Sequence, residues 1–187
     1  MNKLEAGVDE VGRGSLSGPV FAASVILPEE FRHPLIKDSK KLSYKKRKEA
    51  FNVIKENAIS IGVSMVMPAE IDRINILQAT FMSMFGAIDD MDQIPTKLMI
   101  DGDKFPGYKN ISHECIIKGD SKVLSIAAAS IIAKVTRDEY MEKLALEFPQ
   151  YAWEKNYGYG TVDHMKAIEK YGLTQWHRKS FCSRFLV

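Results

Sequence analysis

Residues 20–27 read Val-Phe-Ala-Ala-Ser-Val-Ile-Leu, an unbroken β-rich apolar run closed by Pro28. Such a run forms a buried strand, and a buried strand needs other elements to cover it. The rest of the chain supplies them. Short strands are expected at residues 5–9, 59–67, 97–101 and 114–117, and two of these, ending at Asp9 and Asp101, finish on an acid. Ser43 caps a helix over about 44–57 with Tyr44, Phe51 and Ile54 among its apolar positions. Pro68 opens a short helix, and Asn75 caps a longer one to about Asp89 with the stripe Leu77, Phe81, Met84, Phe85 and Ile88. Gly119-Asp120 opens a long helix over about 121–147, whose Ala127, Ala128 and Ala129 permit close packing on a sheet. An aromatic loop, 149–160, leads to a helix capped by Thr161 and stopped by Gly172. Strands alternating with helices through short connections predict an α/β fold with a central mixed five-stranded sheet flanked by helices.

The 187 residues fit one domain, 1–187, with 148–187 as a C-terminal loop-helix extension. A net charge of +2 permits a polyanionic partner without requiring one. Cys115 and Cys182 are far apart and match no metal-ligand spacing, and no secretory leader is evident. Reduced thiols and a cytoplasmic location are expected. No apolar run approaches the roughly 18 residues of a membrane span.

The acids carry the chemistry. In an open α/β sheet, strand ends and helix starts gather on the rim where ligands bind. Asp9, Asp101 and Asp120 occupy such places and Glu10 adjoins Asp9. Four carboxylates suit two Mg²⁺ or Mn²⁺ ions, which prefer oxygen ligands and hydrolyse phosphodiesters in pairs. Other readings stand beside this one: Asp120 as a helix N-cap, Asp101 as a turn residue, Asp103 as a rival in the same loop. Glu10 presents a geometric difficulty, because successive strand side chains face opposite ways. It joins Asp9 only if the strand bends. Asp138 lies 18 residues beyond Asp120, about 27 Å along one helix at roughly 1.5 Å per residue; it reads as an exposed or paired helix acid.

Basic residues cluster at Lys37, Lys40, Lys41, Lys45, Lys46, Arg47 and Lys48, and again at Arg178, Lys179 and Arg184. They read as solvated faces or as phosphate contacts. Arg13, between Gly12 and Gly14, offers a fork of donors suited to phosphate. Tyr159, between two glycines, either stacks on a substrate or folds onto the core. His177 has no partner at ligand spacing and reads as structural or phosphate-facing.

In order and spacing the chain resembles the ribonuclease HII family. The resemblance rests on Gly7-Val8-Asp9-Glu10-Val11-Gly12-Arg13-Gly14, Asp38-Ser39-Lys40-Lys41-Leu42, Asn75-Ile76-Leu77-Gln78-Ala79-Thr80, Ile100-Asp101-Gly102 and Lys118-Gly119-Asp120-Ser121. It continues through the run from Ser125 to Asp138, Gly158-Tyr159-Gly160-Thr161 and His177-Arg178-Lys179-Ser180-Phe181. It implies a ribonuclease H-like fold and an endonuclease that cuts the RNA strand of RNA–DNA hybrids. It also implies nicking 5′ to single ribonucleotides in duplex DNA, leaving a 3′-hydroxyl and a 5′-phosphate. The family's four catalytic, metal-binding acids fall on Asp9, Glu10, Asp101 and Asp120. Its 2′-hydroxyl-reading element falls on Gly12, Arg13 and Gly14, and its junction-sensing tyrosine on Tyr159. Lys40, Lys41, His177 and Arg178 fall where the family meets the nucleic-acid backbone, which makes 148–187 a substrate-binding extension. The motif starting at residue 7 leaves no room for the N-terminal domain of the type 3 enzymes. A monomer is expected, with a possible replication-clamp contact through the tail from Phe181 to Val187. The alternative is a non-catalytic RNA–DNA hybrid-binding module of the same fold.

Overall fold

A computed structural model describes residues 4–36 and 42–185. Five strands, β1 (Glu5–Val11), β2 (Val20–Ile26), β3 (Ser60–Val66), β4 (Lys97–Asp101) and β5 (Ser112–Ile116), form one mixed sheet in the order β3-β2-β1-β4-β5. β1 and β2 pair antiparallel, as do β2 and β3, whereas β1–β4 and β4–β5 are parallel. The run that reads as a buried strand is β2, every residue of it buried.

Helices cover both faces. On one lie α1 (Tyr44–Asn57) and α4 (Leu124–Glu147), packing Ala50, Ile54 and the small residues Ala127 to Ala129 against Ala23 and Val25. On the other lies α3 (Ile76–Asp89), preceded by the short α2 (Pro68–Ile74); Met84, Ala87 and Ile88 of α3 meet Ala6, Val8, Ala22, Leu98 and Ile100. The alanine-rich face of α4 sits almost directly on β1. A Cβ at Gly7 would come within 2.0 Å of the Ser125 backbone carbon, a distance backbone cannot yield cheaply. Glycine at position 7 and alanines on the helix are thus two halves of one close contact.

The expected caps are present. Ser43 accepts from the Lys46 N–H at 3.4 Å, Asn75 from Leu77 at 3.0 Å and Gln78 at 3.2 Å, and Thr161 from His164 at 3.3 Å. The last of these opens α6 (Val162–Tyr171).

Three expectations change. The long helix begins at Leu124, not 121. Lys118 takes a left-handed conformation (φ 56°) and Gly119–Ser121 form a separate 3₁₀ turn, so Asp120 caps no α-helix. Asp138 is paired, as one reading had it, but not exposed: it is buried and bound to Lys134 Nζ at 2.6 Å. The aromatic loop 149–160 is partly helical, with a 3₁₀ turn at Pro149–Tyr151 and a one-turn helix, α5 (Trp153–Asn156). Its aromatics make a core of their own, because Tyr151 and Trp153 pack under Met141, Leu144 and Ala145 of α4 and against Ile168 of α6. Among the described residues no helix is long and apolar enough to cross a membrane.

Candidate active site

The position of the acids follows from strand lengths. β4 pairs with β1 only as far as Val8↔Ile100, whereas β1 continues beside β2 through Asp9↔Ala23, Glu10↔Ala22 and Val11↔Phe21. β1 therefore outlasts its neighbour, and a notch opens in the sheet beside residues 9–11. Ala6 and Val8 face α3, so Glu10 leaves that same face, while Asp9 and Val11 face α4. The strand does not bend at Glu10, as its regular register shows. Bending is unnecessary, because side chains from both faces reach a gap at the strand's edge.

Asp9, Glu10, Val11, Asp101, Arg47, Ser130, Lys134 and Tyr159 line a cleft of about 270 Å³ there. A second cleft of about 300 Å³ opens on the α3 side, sharing Glu10 and Asp101 and adding Arg13, Thr80, Phe81 and Asp103. Asp103 is exposed and faces this second space rather than the first.

Asp9 is buried, with Oδ1 accepting from the Glu10 N–H at 2.7 Å. Burial, and after it the charges of Glu10 and Asp101, push its carboxyl well above the usual range, against a smaller opposing pull from the Ser130 hydroxyl. Burial also raises Glu10, with the Arg13 guanidinium, 3.3 Å from Oε1, working against it. Asp101 Oδ1 accepts from the Gly119 N–H at 2.7 Å, which ties the end of β4 to the turn that carries Asp120. Asp120 is itself buried. Asp9, Glu10 and Asp101 thus line the notch, while Asp120 is not among the residues lining either cleft; among the described residues no three Asp, Glu, His or Cys side chains form a ready-made metal cage.

The Gly12-Arg13-Gly14 turn follows directly on β1. Arg13 and Gly14 are exposed, whereas Gly12 is buried at φ 91°, and a Cβ there would lie 2.2 Å from Arg137 Nε. Arg137, fully buried on α4, donates to Pro19 O (3.0 Å), Tyr157 O (2.9 Å), Ser15 Oγ (2.9 Å) and Ser17 O (3.2 Å). The Tyr159 ring lies 5.5 Å from its guanidinium and 6.0 Å from Lys134 Nζ.

His177 and Arg178 lie elsewhere than the nucleic-acid contact expected of them. Both side chains are buried, so neither presents itself to a phosphate on the surface. Arg178 donates to Gly18 O through Nε (3.0 Å) and Nη2 (2.8 Å) and to Arg13 O through Nη1 (2.9 Å). His177 belongs to a chain of neutral rings. Its Nδ1 accepts from the Thr174 N–H at 2.9 Å, which leaves its Nε2 facing His164 Nε2 at 3.3 Å. His164 Nε2 accepts from Trp153 at 3.1 Å, so His164 Nδ1 carries the proton toward Tyr159 O at 2.9 Å. Lys40 and Lys41 lie outside the described residues. Arg47, one of the basic cluster read as a solvated face or a phosphate contact, lines the cleft; Lys134, Arg137 and His164 escaped functional notice in the sequence. For Lys134 the only signal was its place in the run from Ser125 to Asp138, and for His164 there was none.

A family model for ribonuclease HII matches residues 6–185. Among curated relatives, ribonuclease HII of Christiangramia forsetii is 53% identical over 176 residues, covering 94% of this chain and 89% of that one. The enzyme of Parabacteroides distasonis is 52% identical over 179 residues, 96% and 90% of the two chains. Among solved structures, ribonuclease H2 of Pyrococcus horikoshii superposes with a TM-score of 0.80 at 28% identity, covering 97% of this chain and 98% of the other. Ribonuclease HII of Archaeoglobus fulgidus, solved in complex with PCNA, gives 0.78 at 25% identity, with 94% and 93% covered. Matched in sequence over nearly its whole length and in fold to these proteins, the chain belongs to the ribonuclease HII family, enzymes that cut RNA in RNA–DNA hybrids.

Proposed function

We propose that the notch is the catalytic centre of an endonuclease that nicks 5′ to single ribonucleotides in duplex DNA as well as cutting longer hybrids, leaving a 3′-hydroxyl and a 5′-phosphate. One observation carries the reading: Asp9, Glu10 and Asp101 share a single cleft with Tyr159, and the Gly-Arg-Gly turn begins two residues beyond Glu10. Acid chemistry and a sugar-reading wall thus face the same space.

The donor set fits hard divalent ions, Mg²⁺ or Mn²⁺. It is all carboxylate oxygen, and a cation would offset both the burial that chiefly raises Asp9 and the neighbouring charges of Glu10 and Asp101 that add to it. An open notch suits Mg²⁺, which is held by one or two carboxylates and completed by substrate phosphate rather than caged. Asp9, Glu10 and Asp101 would hold the pair, with Asp120 beside Asp101 as the fourth acid. When bound, two such ions activate a water for in-line attack and support the leaving 3′-oxygen. The chain's own part is positional. The Gly119 N–H and Ser130 orient the carboxylates. Lys134 and Arg47 bring positive charge to the far wall, where a phosphate would lie. Tyr159 supplies a flat apolar face for a sugar, and exposed Gly14 offers backbone to a 2′-hydroxyl, the one group that distinguishes RNA from DNA at a single position.

Incubation with a duplex carrying one ribonucleotide, under Mg²⁺ and separately Mn²⁺, is the test. A nick 5′ to that residue is expected, lost in Asp120→Asn; a duplex left intact under both ions refutes the reading. A sliding-clamp contact through the tail remains part of the proposal, supported by the PCNA complex of the Archaeoglobus protein. In this chain Phe181 and Phe185 rest half-buried on its own core, so such a contact would centre on residues beyond them or require their release.

A further inference from the structure

Two arginines, Arg137 and Arg178, are fully buried, yet among the described residues neither is ion-paired to a carboxylate. A buried cation without an anion is costly, so the bonds it makes repay inspection. All but one of those bonds end on main-chain carbonyls of two segments, the loop from Arg13 to Pro19 and the Tyr157 turn.

The directions matter more than the number. Arg178 holds the Arg13 carbonyl at 2.9 Å from beneath. In a trans peptide the carbonyl of one residue and the N–H of the next point opposite ways. Drawing Arg13 O inward therefore aims the Gly14 N–H outward. Gly14 is exposed, open space surrounds its Cβ position, and no hydrogen bond among the described residues engages its N–H. Arg137 spans the gap between the two segments, with Nε and Nη2 on residues 15–19 and Nη1 on Tyr157 O, two residues before Tyr159. Only a planar fork with donors on several edges reaches both sides at once; a lysine ammonium is a single point.

The geometry points to Arg137 and Arg178 as positioning residues for ribose recognition: Arg178 sets the direction of the Gly14 N–H, and Arg137 sets its separation from Tyr159. They touch no substrate. The inference rests on the proposed nicking at single ribonucleotides.

The test uses the intact protein at one fixed salt concentration. Cleavage of a duplex with one ribonucleotide gives kcat/KM, and an all-DNA duplex of the same sequence serves as competitive inhibitor. Arg178→Lys and Arg137→Lys are expected to lower kcat/KM at least tenfold, chiefly through KM. The inhibition constant of the all-DNA duplex is expected to stay within twofold, because phosphate contacts are spared. A merely structural role would shrink the active fraction, lowering kcat while leaving KM and the inhibition constant where they were; that result overturns the inference. If either lysine variant fails to fold, Ser15→Ala, which removes one of the Arg137 bonds, decides, with a twofold to threefold loss of preference expected and an unchanged preference overturning the inference. Wild-type protein that shows no preference for the ribonucleotide duplex defeats the nicking reading and this inference with it. Wild type with that preference and variants that keep it defeat this inference alone.

Discussion

Alanine at position 12 and alanine at position 14 should part company sharply, though the two glycines flank the same arginine. At Gly12 the backbone is left-handed (φ 91°), and a new Cβ would stand 2.2 Å from Arg137 Nε and 2.9 Å from its Cδ and Cζ. Left-handed backbone costs a residue with a side chain about 1–2 kcal/mol. The guanidinium has no free space to retreat into, since it is fully buried and held by Pro19, Tyr157, Ser15 and Ser17. Moving it breaks one or two charged hydrogen bonds, each contributing about 1.5–3 kcal/mol. Gly12→Ala is therefore expected to destabilise by about 3–5 kcal/mol, which for a chain of this size lowers the melting temperature by roughly 10 °C. At Gly14 nothing lies within 4 Å of a Cβ and φ is not positive. Gly14→Ala should stay within about 0.5 kcal/mol of wild type and show its effect in cleavage of a single-ribonucleotide duplex. Urea unfolding followed by fluorescence and circular dichroism measures both. Equal midpoints for wild type and Gly12→Ala would refute the packing argument; a fall of several kcal/mol in the unfolding free energy of Gly14→Ala would refute the assignment of that residue to the surface.

Asp9→Asn should stop cleavage without loss of stability in metal-free buffer. Because burial and the charges of Glu10 and Asp101 raise Asp9 above its unfolded value of 3.8, the folded chain holds more protons. That contribution to stability is complete below the unfolded value and is lost as pH rises through the folded one. The asparagine variant should flatten this slope, and a lower urea midpoint than wild type at pH 7 would contradict it. His177 has the opposite sign. Burial, then the His164 ring, holds it down to about 4, so its contribution is present above its unfolded 6.5 and disappears as pH falls through about 4. The loss amounts to about 3 kcal/mol; nitrogen NMR showing His177 titrating near 6.5 in the folded protein would rule it out. Tyr159→Ala should reduce single-ribonucleotide cutting at least tenfold while the melting temperature moves by only a few degrees, and equal cutting by both proteins removes Tyr159 from the site.

Local chemistry was legible in the sequence where it acts locally. β2, the three side-chain caps at Ser43, Asn75 and Thr161, and the Gly172 stop are decided by neighbours a few residues away. The acids at the ends of β1 and β4 could be placed on one rim by the same means. How Glu10 joins Asp9 could not, because the answer lies in where β4 stops pairing, a fact about strands some ninety residues apart. Arg178 read as a solvated face or a phosphate contact, and Arg137 drew no reading of its own, for a similar reason: the carbonyls that hold them are 118 and 160 residues distant in the chain. Trp153 read as part of an aromatic loop and His164 drew no reading. Only packing under α4 makes Trp153 core, with His164 buried against its ring and accepting from its N–H.

The notch in the sheet has two mouths. Glu10 and Asp101 stand in the wall between the α4-side and α3-side clefts, and each cleft opens to solvent. A dead-end pocket must receive the terminus of its polymer or a free small molecule. A saddle lets a strand pass across it, entering on one side of the sheet and leaving on the other, with no end required. On the proposed reading, cutting an internal bond in an unbroken duplex is in this sense a consequence of β1 running three residues beyond its pairing with β4.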